Sequence, residues 1–342
     1  VRSEKMRNIY DLTIKELEDY FISINEKKFR AVQVYEALYK RRIKSFDDMT
    51  NISKEVREKL KQVFSFYKIK MLIKQQGKNV NKYLFELEDG NKIESVLMFH
   101  DYGTSICVSS QVGCNMTCAF CESGRLKKVR NLLAYEIVQQ ILQIEEDINK
   151  RITHVVLMGI GEPFDNYDNV LRFVKIINCG KGIDIGSRHI TISTCGVIPG
   201  IKKFMNEEGQ VNLAISLHAP NNTLRSRIMP INKAYPLNEL METIKEYINK
   251  TNRRVTFEYI MLDNVNDSEE NAKELAILLK GINCYVNLIP YNETENIEFK
   301  RTKEWKIMKF YDILKKNKIN VTIRKEFGGS VDAACGQLRA NN

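Results

Sequence analysis

The chain has no run of apolar residues that approaches the length of a membrane span. A helix needs about 18 to 20 consecutive apolar residues to cross a bilayer, so no membrane-spanning segment is expected. Residues 1–10 are polar and of mixed charge and carry no apolar signal core, which predicts a cytoplasmic location. In a reducing compartment, the eight cysteines indicate chemistry or unpaired thiols rather than a disulfide framework.

Internal repeats and low-complexity segments are also absent, and acidic residues are outnumbered by basic ones, 43 to 53. The resulting net charge of +10 favours a polyanionic partner. Two clusters hold much of the excess: Lys27, Lys28, Arg30, Lys40, Arg41, Arg42 and Lys44 in one, and Arg125, Lys127, Lys128 and Arg130 in the other. One cluster alone is usually a solvated surface. The second cluster directly follows three closely spaced cysteines, and this favours nucleic acid as the substrate.

Those cysteines, Cys114, Cys118 and Cys121, form a C-x3-C-x2-C loop that supplies three thiolates and lacks a fourth. A closed structural zinc site requires four ligands, and the next histidine along the chain, His154, lies 33 residues beyond Cys121. Three thiolates on a four-iron cluster would leave one iron open to a substrate-like ligand. The spacing therefore favours an iron–sulfur cluster, and zinc is the alternative.

The order of predicted elements begins with a helical part. Apolar residues recur at helical spacing in three segments, 12–23, 30–44 and 54–64. They predict a small basic helical domain over 1–65 that binds RNA. A strand-rich connector over 66–103 follows, in which strands 82–87 and 92–98 flank the turn Glu88-Asp89-Gly90-Asn91.

The next part, 104–300, alternates short β-branched runs with amphipathic helices, and 301–342 adds a helix, a strand and a cysteine-bearing loop. The predicted strands lie at 104–110, 154–158, 189–193, 211–217, 255–262, 285–289 and 319–324. Repeated β-α units imply a parallel sheet covered by helices, with the active residues at the carboxyl ends of the strands. The predicted fold class is therefore α/β, a partial (β/α)6 barrel with a small N-terminal helical domain.

The segment Gly159-Ile160-Gly161-Glu162-Pro163 follows the strand at 154–158. It lacks the third glycine of a dinucleotide fingerprint, so by itself it predicts only a strand-to-helix turn. Together with the cysteine loop, however, it resembles the Gly-Glu-Pro motif of the radical S-adenosylmethionine enzymes. That resemblance implies a [4Fe-4S] cluster on the three cysteines, whose open iron binds S-adenosylmethionine and cleaves it to a 5′-deoxyadenosyl radical. It also implies that Gly161 and Glu162 hold the amino group of this cofactor.

Polar residues also occur at later strand ends. They are Ser193, the triplet Ser216-Leu217-His218, and Asn292. Each one could simply satisfy its own backbone. Because the carboxyl ends of parallel strands meet at one barrel mouth, we predict that these residues also bind the cofactor.

The chain is similar over nearly its full length to the adenine methyltransferases of large-subunit ribosomal RNA, the RlmN/Cfr family. The segments that carry the resemblance are 8–10, 27–31, 107–121, 158–169, 216–232 and the ending Ala333-Ala334-Cys335-Gly336-Gln337-Leu338. The resemblance implies methylation of C2 of an adenine in 23S rRNA. It also implies adenine next to the tRNA anticodon as a second substrate, and a flavodoxin or ferredoxin as electron donor. We expect a monomer.

The resemblance assigns roles to two further cysteines and a carboxylate. Cys335 is implied to accept a methyl group from one S-adenosylmethionine, and a radical made from a second one activates that methyl for addition to the base. Cys107 is implied to form a disulfide with Cys335 that releases the product, and Glu94 to remove a proton from C2. Two S-adenosylmethionine molecules are thus consumed in each turnover.

Two alternatives remain open at the sequence level. Three features depart from the usual C2 pattern: the triplet Glu122-Ser123-Gly124, the segment Arg125-Leu126-Lys127-Lys128 and the pair Phe327-Gly328. Phe327-Gly328 is similar to the corresponding residues of the branch that methylates C8 of the same adenine and confers antibiotic resistance. A different class of protein, a non-catalytic RNA-binding protein with a structural metal, is the second alternative. We predict C2 methylation.

Overall fold

The computed structural model describes residues 6–294 and 296–324. Within them, the N-terminal part consists of three α-helices, two 3-10 helices and two short parallel strands. Their bounds are β1 (Arg7–Asn8), α1 (Ile14–Ser23), α2 (Phe29–Tyr39), α3 (Lys54–Val63) and β2 (Phe64–Ser65). Helix α1 begins at a capping box, in which the Thr13 hydroxyl accepts from the Glu16 N–H and Glu16 accepts from the Thr13 N–H.

The three helices predicted here are present, with one difference in length. Helix α2 ends at Tyr39 rather than at residue 44. The chain reverses because Arg42 adopts a left-handed backbone conformation with φ of 54°, and the Arg41 N–H donates to the Glu36 carbonyl. Left-handed residues commonly end helices in this way.

A mixed sheet of ten strands forms the centre of the remaining described chain, in the order β14-β13-β12-β11-β10-β9-β6-β5-β4-β3. The antiparallel strands at one edge are β3 (Lys70–Gln76), β4 (Val80–Glu86) and β5 (Lys92–His100). The parallel strands are β6 (Gly103–Cys107), β9 (His154–Leu157), β10 (Ile190–Thr194), β11 (Asn212–Ser216), β12 (Val255–Met261), β13 (Cys284–Pro290) and β14 (Val321–Ile323). A separate small ladder joins β7 (Gln111–Val112) to β8 (Arg130–Asn131).

Helices between the strands cover the outer face of the sheet, and the predicted partial barrel is confirmed. They are α4 (Ala134–Ile148), α5 (Tyr167–Asn178), α6 (Ile198–Phe204), α7 (Asn222–Ile228), α8 (Leu237–Thr251), α9 (Glu269–Leu278) and α10 (Glu304–Lys316). The predicted hairpin is also present, as β4 and β5. In the described ranges, no helix is long and apolar enough to cross a membrane.

The two faces of the sheet have different surroundings because side chains alternate along each strand. Ile93 and Leu97 of β5 and Ile106 of β6 belong to the main helix-covered core. Val96 of β5 lies opposite Cys107 of β6, and both belong to a smaller cluster on the inner face. The inner face therefore carries the residues that could face a substrate.

A buried glutamine attaches α4 to the strand ends from which the cysteine loop begins. The Gln140 side-chain oxygen accepts from the Ser95 hydroxyl at 2.7 Å and from the Ser109 N–H at 2.9 Å. Its amide group donates to the Ser109 carbonyl at 3.0 Å. The Gln140 side chain thus satisfies both backbone groups of Ser109, which is fully buried.

We predict that Gln140→Leu lowers the free energy of unfolding by about 2 to 4 kcal/mol, because it leaves both buried polar groups of Ser109 without a partner. Urea denaturation of the protein and the variant measures this difference. Gln143→Leu, one turn further along α4, is the control and should change stability by less than about 1 kcal/mol. Equal effects of the two substitutions would contradict this role of Gln140.

Candidate active site

One cavity lies at the carboxyl ends of the parallel strands. It is lined by all three cysteines of the loop, by residues after β9, β10 and β11, and by residues of β12 and β13. Of the predicted site residues, the cavity brings together Cys114, Cys118, Cys121, Gly161, Glu162, Ser193, Ser216 and His218. Residues separated by about a hundred positions in the sequence thus meet at the predicted end of the barrel.

The cysteine loop is held in place by its backbone. Cys114 donates its N–H to the Leu126 carbonyl at 2.8 Å, and Cys121 donates to the Cys118 carbonyl at 3.1 Å. Ala119 donates to the carbonyl of Ile228 at 2.9 Å, which joins the loop to the end of α7. The backbone that carries the three thiols is therefore tied both to itself and to the barrel.

Two glycines allow the segment after β9 to approach the segment after β6. A Cβ on Gly159 would lie 2.6 Å from the Val108 carbonyl oxygen, and one on Gly161 would lie 2.6 Å from Cβ of Gln111. Gly161 also has a φ of 109°, a conformation that side chains disfavour. The Gly-x-Gly spacing is therefore required by close packing of two backbones.

Glu162 is 3% exposed and points its carboxylate at backbone donors. One oxygen accepts from the Phe164 N–H at 3.0 Å and the other from the Cys195 N–H at 2.8 Å. Burial raises the pKa of Glu162, and the hydrogen bond from Cys195 opposes this rise. A carboxylate oxygen can accept more than one hydrogen bond, so this carboxylate can also accept from an ammonium group in the cavity that it lines.

His218 is buried and adopts a left-handed backbone conformation with φ of 59°. Its Nδ1 accepts from the Ile260 N–H at 3.0 Å, so the ring proton of the neutral form lies on Nε2. Burial, assisted by the charge of Arg225, lowers the pKa of His218 to about 3. The imidazole is therefore neutral at physiological pH and can serve as a hydrogen-bond donor.

Two of the predicted cofactor residues are placed differently. Leu217 is fully buried in the main core, and Asn292 lies beyond the end of β13. Neither side chain lines the cavity that the described residues form. Their predicted role in binding the cofactor stays a prediction.

The sequence analysis missed Glu258, a buried carboxylate on β12 that also lines the cavity. It lies opposite Ser216 of β11 and Asn287 of β13. One of its oxygens accepts from the Asn287 amide at 3.0 Å, whereas the other, Oε2, is buried and has no hydrogen-bond partner among the described residues. The sequence could have indicated this residue, because Glu258 lies in the middle of an apolar strand and glutamate is rarely buried without a partner or ligand.

Glu94 and Cys107 lie on the inner face of neighbouring strands. Cys107 lies opposite Val96 in the register of β5 and β6, and Glu94 is two residues before Val96 on the same face. The Glu94 carboxylate forms an ion pair with Lys82 of β4 at 3.0 Å, and both side chains are buried. Cys107 belongs to a cluster against which Met158, a lining residue of the cavity, also packs.

The second basic cluster is partly used within the fold. Lys128 pairs with Asp165 at 2.6 Å, and Arg130 pairs with Asp89 at 2.6 Å and with Glu136 at 2.7 Å. Only part of its charge is thus available to a polyanion. In the N-terminal cluster, Lys27 and Lys28 are exposed.

Cys335 and the pair Phe327-Gly328 lie outside the described residues. Among the cysteines that the structure describes, no two are joined by a disulfide. The disulfide that the sequence resemblance implies would involve Cys335, so it stays a prediction.

Comparison with known proteins identifies relatives of this chain. A family model for the N-terminal domain of ribosomal RNA large subunit methyltransferases matches residues 7–66, and the radical SAM superfamily model matches residues 108–276. A protein of Spiroplasma citri is 54% identical over 341 residues, covering 98% of each chain. One of Enterococcus faecalis is 54% identical over 342 residues, covering 97% of this chain and 96% of its own. Both are named probable dual-specificity RNA methyltransferase RlmN.

A solved structure supports the same relationship. The crystal structure of a radical SAM methyltransferase from Sphaerobacter thermophilus superposes with a TM-score of 0.93, at 41% sequence identity, and covers 98% of this chain and 100% of its own. The fold and the cysteine-lined cavity thus define a radical S-adenosylmethionine enzyme. Within that class, the chain belongs to the RlmN family of RNA methyltransferases.

The family implies a [4Fe-4S] cluster and S-adenosylmethionine, and the residues present fit both. The three thiols line one cavity with Glu162, and the unpartnered Oε2 of Glu258 is an acceptor for a polar ligand there. No three His, Cys, Asp or Glu side chains of the described part are grouped to hold a single metal ion. A four-iron cluster does not require such a grouping, because each thiolate binds a different iron.

Without the cluster, burial holds two of the three thiols in the protonated form. Burial raises the pKa of Cys114 to about 12 and that of Cys118 well above its usual value. Cluster assembly must therefore release protons, as is general for metal binding by thiolates.

We predict that acid destabilises the cluster-free protein through His218. The unfolded chain binds a proton as the pH falls through about 6.5, whereas the folded chain does so only near pH 3. Stability should therefore fall by up to about 1.4 kcal/mol for each pH unit between these values. Urea denaturation at pH 7, 6 and 5 measures the slope.

The matched variant is His218→Asn, because Asn tolerates the left-handed backbone and retains an acceptor near the position of Nδ1. It should flatten the pH dependence. A His218→Asn protein with the original slope would contradict the assignment.

Proposed function

We propose that this protein methylates C2 of an adenine in 23S rRNA through an S-methylcysteine intermediate on Cys335, and that adenine next to the tRNA anticodon is a second substrate. The observation that carries the proposal is the common inner face of Glu94 and Cys107, beside the cavity that contains the three cysteines. A carboxylate and a thiol in that position match a reaction that needs both a base and a resolving nucleophile. Membership of the RlmN family supports it.

The need for a radical follows from the substrate. The C2 carbon of adenine is electron-poor and has no lone pair to attack a sulfonium ion. When bound, the cluster supplies the electron that cleaves S-adenosylmethionine to a carbon radical, and a flavodoxin or ferredoxin is the proposed electron donor. Cys114, Cys118 and Cys121 would hold the cluster, while Glu162 would fix the amino end of the cofactor.

Cys335 can reach this site along the chain. Arg324, the last described residue, lines the cavity, and Cys335 follows 11 residues later. An extended chain spans up to about 3.3 to 3.6 Å per residue. A segment of 11 residues is therefore long enough to cross the mouth of the barrel. Cys335 would carry the methyl group taken from one S-adenosylmethionine, and a second one would be consumed to activate it.

Glu94 would take the proton from C2, and Lys82 would keep the Glu94 carboxylate in place. The ion pair at 3.0 Å fixes the carboxylate on the inner face, where its charge is stabilised although both side chains are buried. Cys107 would then attack the sulfur of Cys335. This step would form the Cys107–Cys335 disulfide, break the bond between that sulfur and the methylene carbon, and leave the pair of electrons on the carbon, which is protonated to the methyl product. The one unpaired electron that the radical addition leaves on the adduct would pass back to the oxidised cluster that supplied it.

The experiment that tests the proposal is mass spectrometry of 23S rRNA and tRNA incubated with the reconstituted protein. We predict that the wild type adds one methyl at C2. Cys335→Ala should add none, because the acceptor sulfur is missing, yet it should still bind cofactor. Cys107→Ala should remain attached to RNA through Cys335, because the resolving thiol is missing.

The outcomes separate the alternatives. A methyl at C8 would establish the other regiochemistry, and a protein without iron and sulfide after anaerobic reconstitution would be an RNA-binding protein of another kind. Cys179→Ala is the control, since Cys179 lies at the end of α5, and it should turn over normally. Normal turnover by Cys107→Ala, or methylation by Cys335→Ala, would rule out the two-cysteine mechanism.

RNA contact by the N-terminal part is supported by the exposed Lys27 and Lys28 beside the exposed Phe29 ring, over which Arg30 lies at 5.2 Å. We predict that Lys27→Ala/Lys28→Ala weakens RNA binding and reduces the log-log salt slope by roughly 0.7 to 0.9 for each phosphate that the variant no longer neutralises. Filter binding across a salt series measures it. Lys15→Ala is the control, because Lys15 pairs with Asp19 at 2.7 Å. Equal salt slopes for both variants and the wild type would show that Lys27 and Lys28 do not contact RNA.

A further inference from the structure

Arg225 of α7 is fully buried, and its hydrogen bonds all go to neutral groups. Its guanidinium donates to the carbonyls of Cys195 at 2.6 Å and Leu217 at 3.2 Å, and to the side-chain oxygen of Asn232 at 2.9 Å. The Ser216 carbonyl lies at 3.3 Å from one of its nitrogens. Arginine remains protonated in proteins, so a full positive charge is enclosed here.

A buried charge of this kind normally has an opposite charge beside it, because an unpaired one costs several kcal/mol. Within residues 6–294 and 296–324, no carboxylate lies close enough to Arg225 to form a salt bridge. Arg225 is also absent from the lining of the cavity, so it does not present its charge directly to a ligand there. Its hydrogen bonds account for its position but leave its charge uncompensated.

The groups near Arg225 that can become anionic are thiols of the site. Burial lowers the pKa of Arg225, while the thiols of Cys195 and Cys118 oppose that change. The helix that carries Arg225 is joined to the cysteine loop by the bond from the Ala119 N–H to the Ile228 carbonyl at 2.9 Å. Ile228 and Met229, at the end of α7, pack in one cluster with Phe120 and Cys118.

We propose that Arg225 is the buried counter-charge of the iron–sulfur cluster and raises its reduction potential. This inference rests on the proposed function only in requiring a cluster on Cys114, Cys118 and Cys121. The reduced cluster carries one more negative charge than the oxidised one, so a fixed positive charge nearby stabilises the reduced form more. Arg225 would thereby act through its charge, as a positioning residue and not by contact, since it is absent from the lining of the cavity.

The test supplies Arg225 with the missing anion while leaving the arginine in place. Asn232→Asp puts a carboxylate where the Asn232 oxygen already accepts from Arg225 at 2.9 Å, and the Ser226 hydroxyl, 2.8 Å from the Asn232 nitrogen, can donate to the other oxygen. The reconstituted protein is titrated with dithionite, which supplies one electron per cluster, and the reduced cluster is counted by electron paramagnetic resonance. We expect reduction to become at least tenfold less favourable, a negative shift of about 59 mV or more for one electron.

Asn232→Ala is the matched control. It removes the hydrogen bonds of Asn232 to Arg225, Asn222 and Ser226 without adding a charge, and it should keep the wild-type potential. Arg225→Gln and Arg225→Lys form a second pair, in which only Lys keeps the charge. Gln should shift the potential in the negative direction, and Lys should not. The second pair decides the question if the first does not fold, and the first decides it if the second does not.

Equal potentials within a folded pair would overturn the inference, because the role of Arg225 would then be structural. An equal negative shift for Asn232→Asp and Asn232→Ala would do the same. Failure of the proposed function is distinguishable, since it appears as a wild-type protein that assembles no four-iron cluster at all. Intact cluster with unchanged potentials refutes only the role of Arg225.

Discussion

The pairing of β6 with β9, continued past the ends of both strands, is the constraint on which the site depends. The Val108 N–H donates to the Val156 carbonyl at 3.0 Å, the Gly159 N–H donates to the Val108 carbonyl at 3.1 Å, and the Ser110 N–H donates to the Ile160 carbonyl at 2.9 Å. These bonds keep two loops side by side where parallel strands normally diverge into separate turns. The cysteine loop and the Gly-Glu-Pro segment therefore begin from adjacent positions, and the Gln140 side chain fixes the same point from the helix side.

The site and its surroundings also enclose several buried ionisable groups. Glu162, His218 and Arg225 are each satisfied mainly by backbone groups, and backbone dipoles cannot move away when charge changes. Such fixed groups are suited to a reaction that moves an electron into a buried site, because little reorganisation is needed when the charge arrives. The exclusion of water from the same region would protect a radical from side reactions.

Local patterns in the sequence predicted the strands and the three closely spaced cysteines, because each depends on residues close together in the chain. Glu162 was identified by the resemblance of its segment to a known motif. The pairings that shape the site could not be predicted in this way. Lys82 meets Glu94 only because β4 and β5 adopt one particular register, and Lys128 is neutralised by Asp165, which is far along the chain. The sequence did not indicate that Arg225 is buried either, since an arginine in a short helix usually lies on the surface. Cys335 lies outside the described residues, so its role stays a prediction.

The N-terminal part is joined to the barrel by contacts with α4 and α5. Asp11 accepts from the Tyr135 N–H at the start of α4 at 3.2 Å, and Glu16 is bound by Arg172 of α5. Although burial opposes ionisation of Glu16, hydrogen bonding, chiefly by Arg172, lowers its pKa to about 2. Both helices begin at the edge of the site, α4 after the cysteine loop and α5 after the Gly-Glu-Pro segment. In the proposed function, phosphate contacts made by Lys27 and Lys28 would therefore fix the RNA to a part of the protein that is bound directly to α4 and α5, and would help to orient the adenine relative to Glu94.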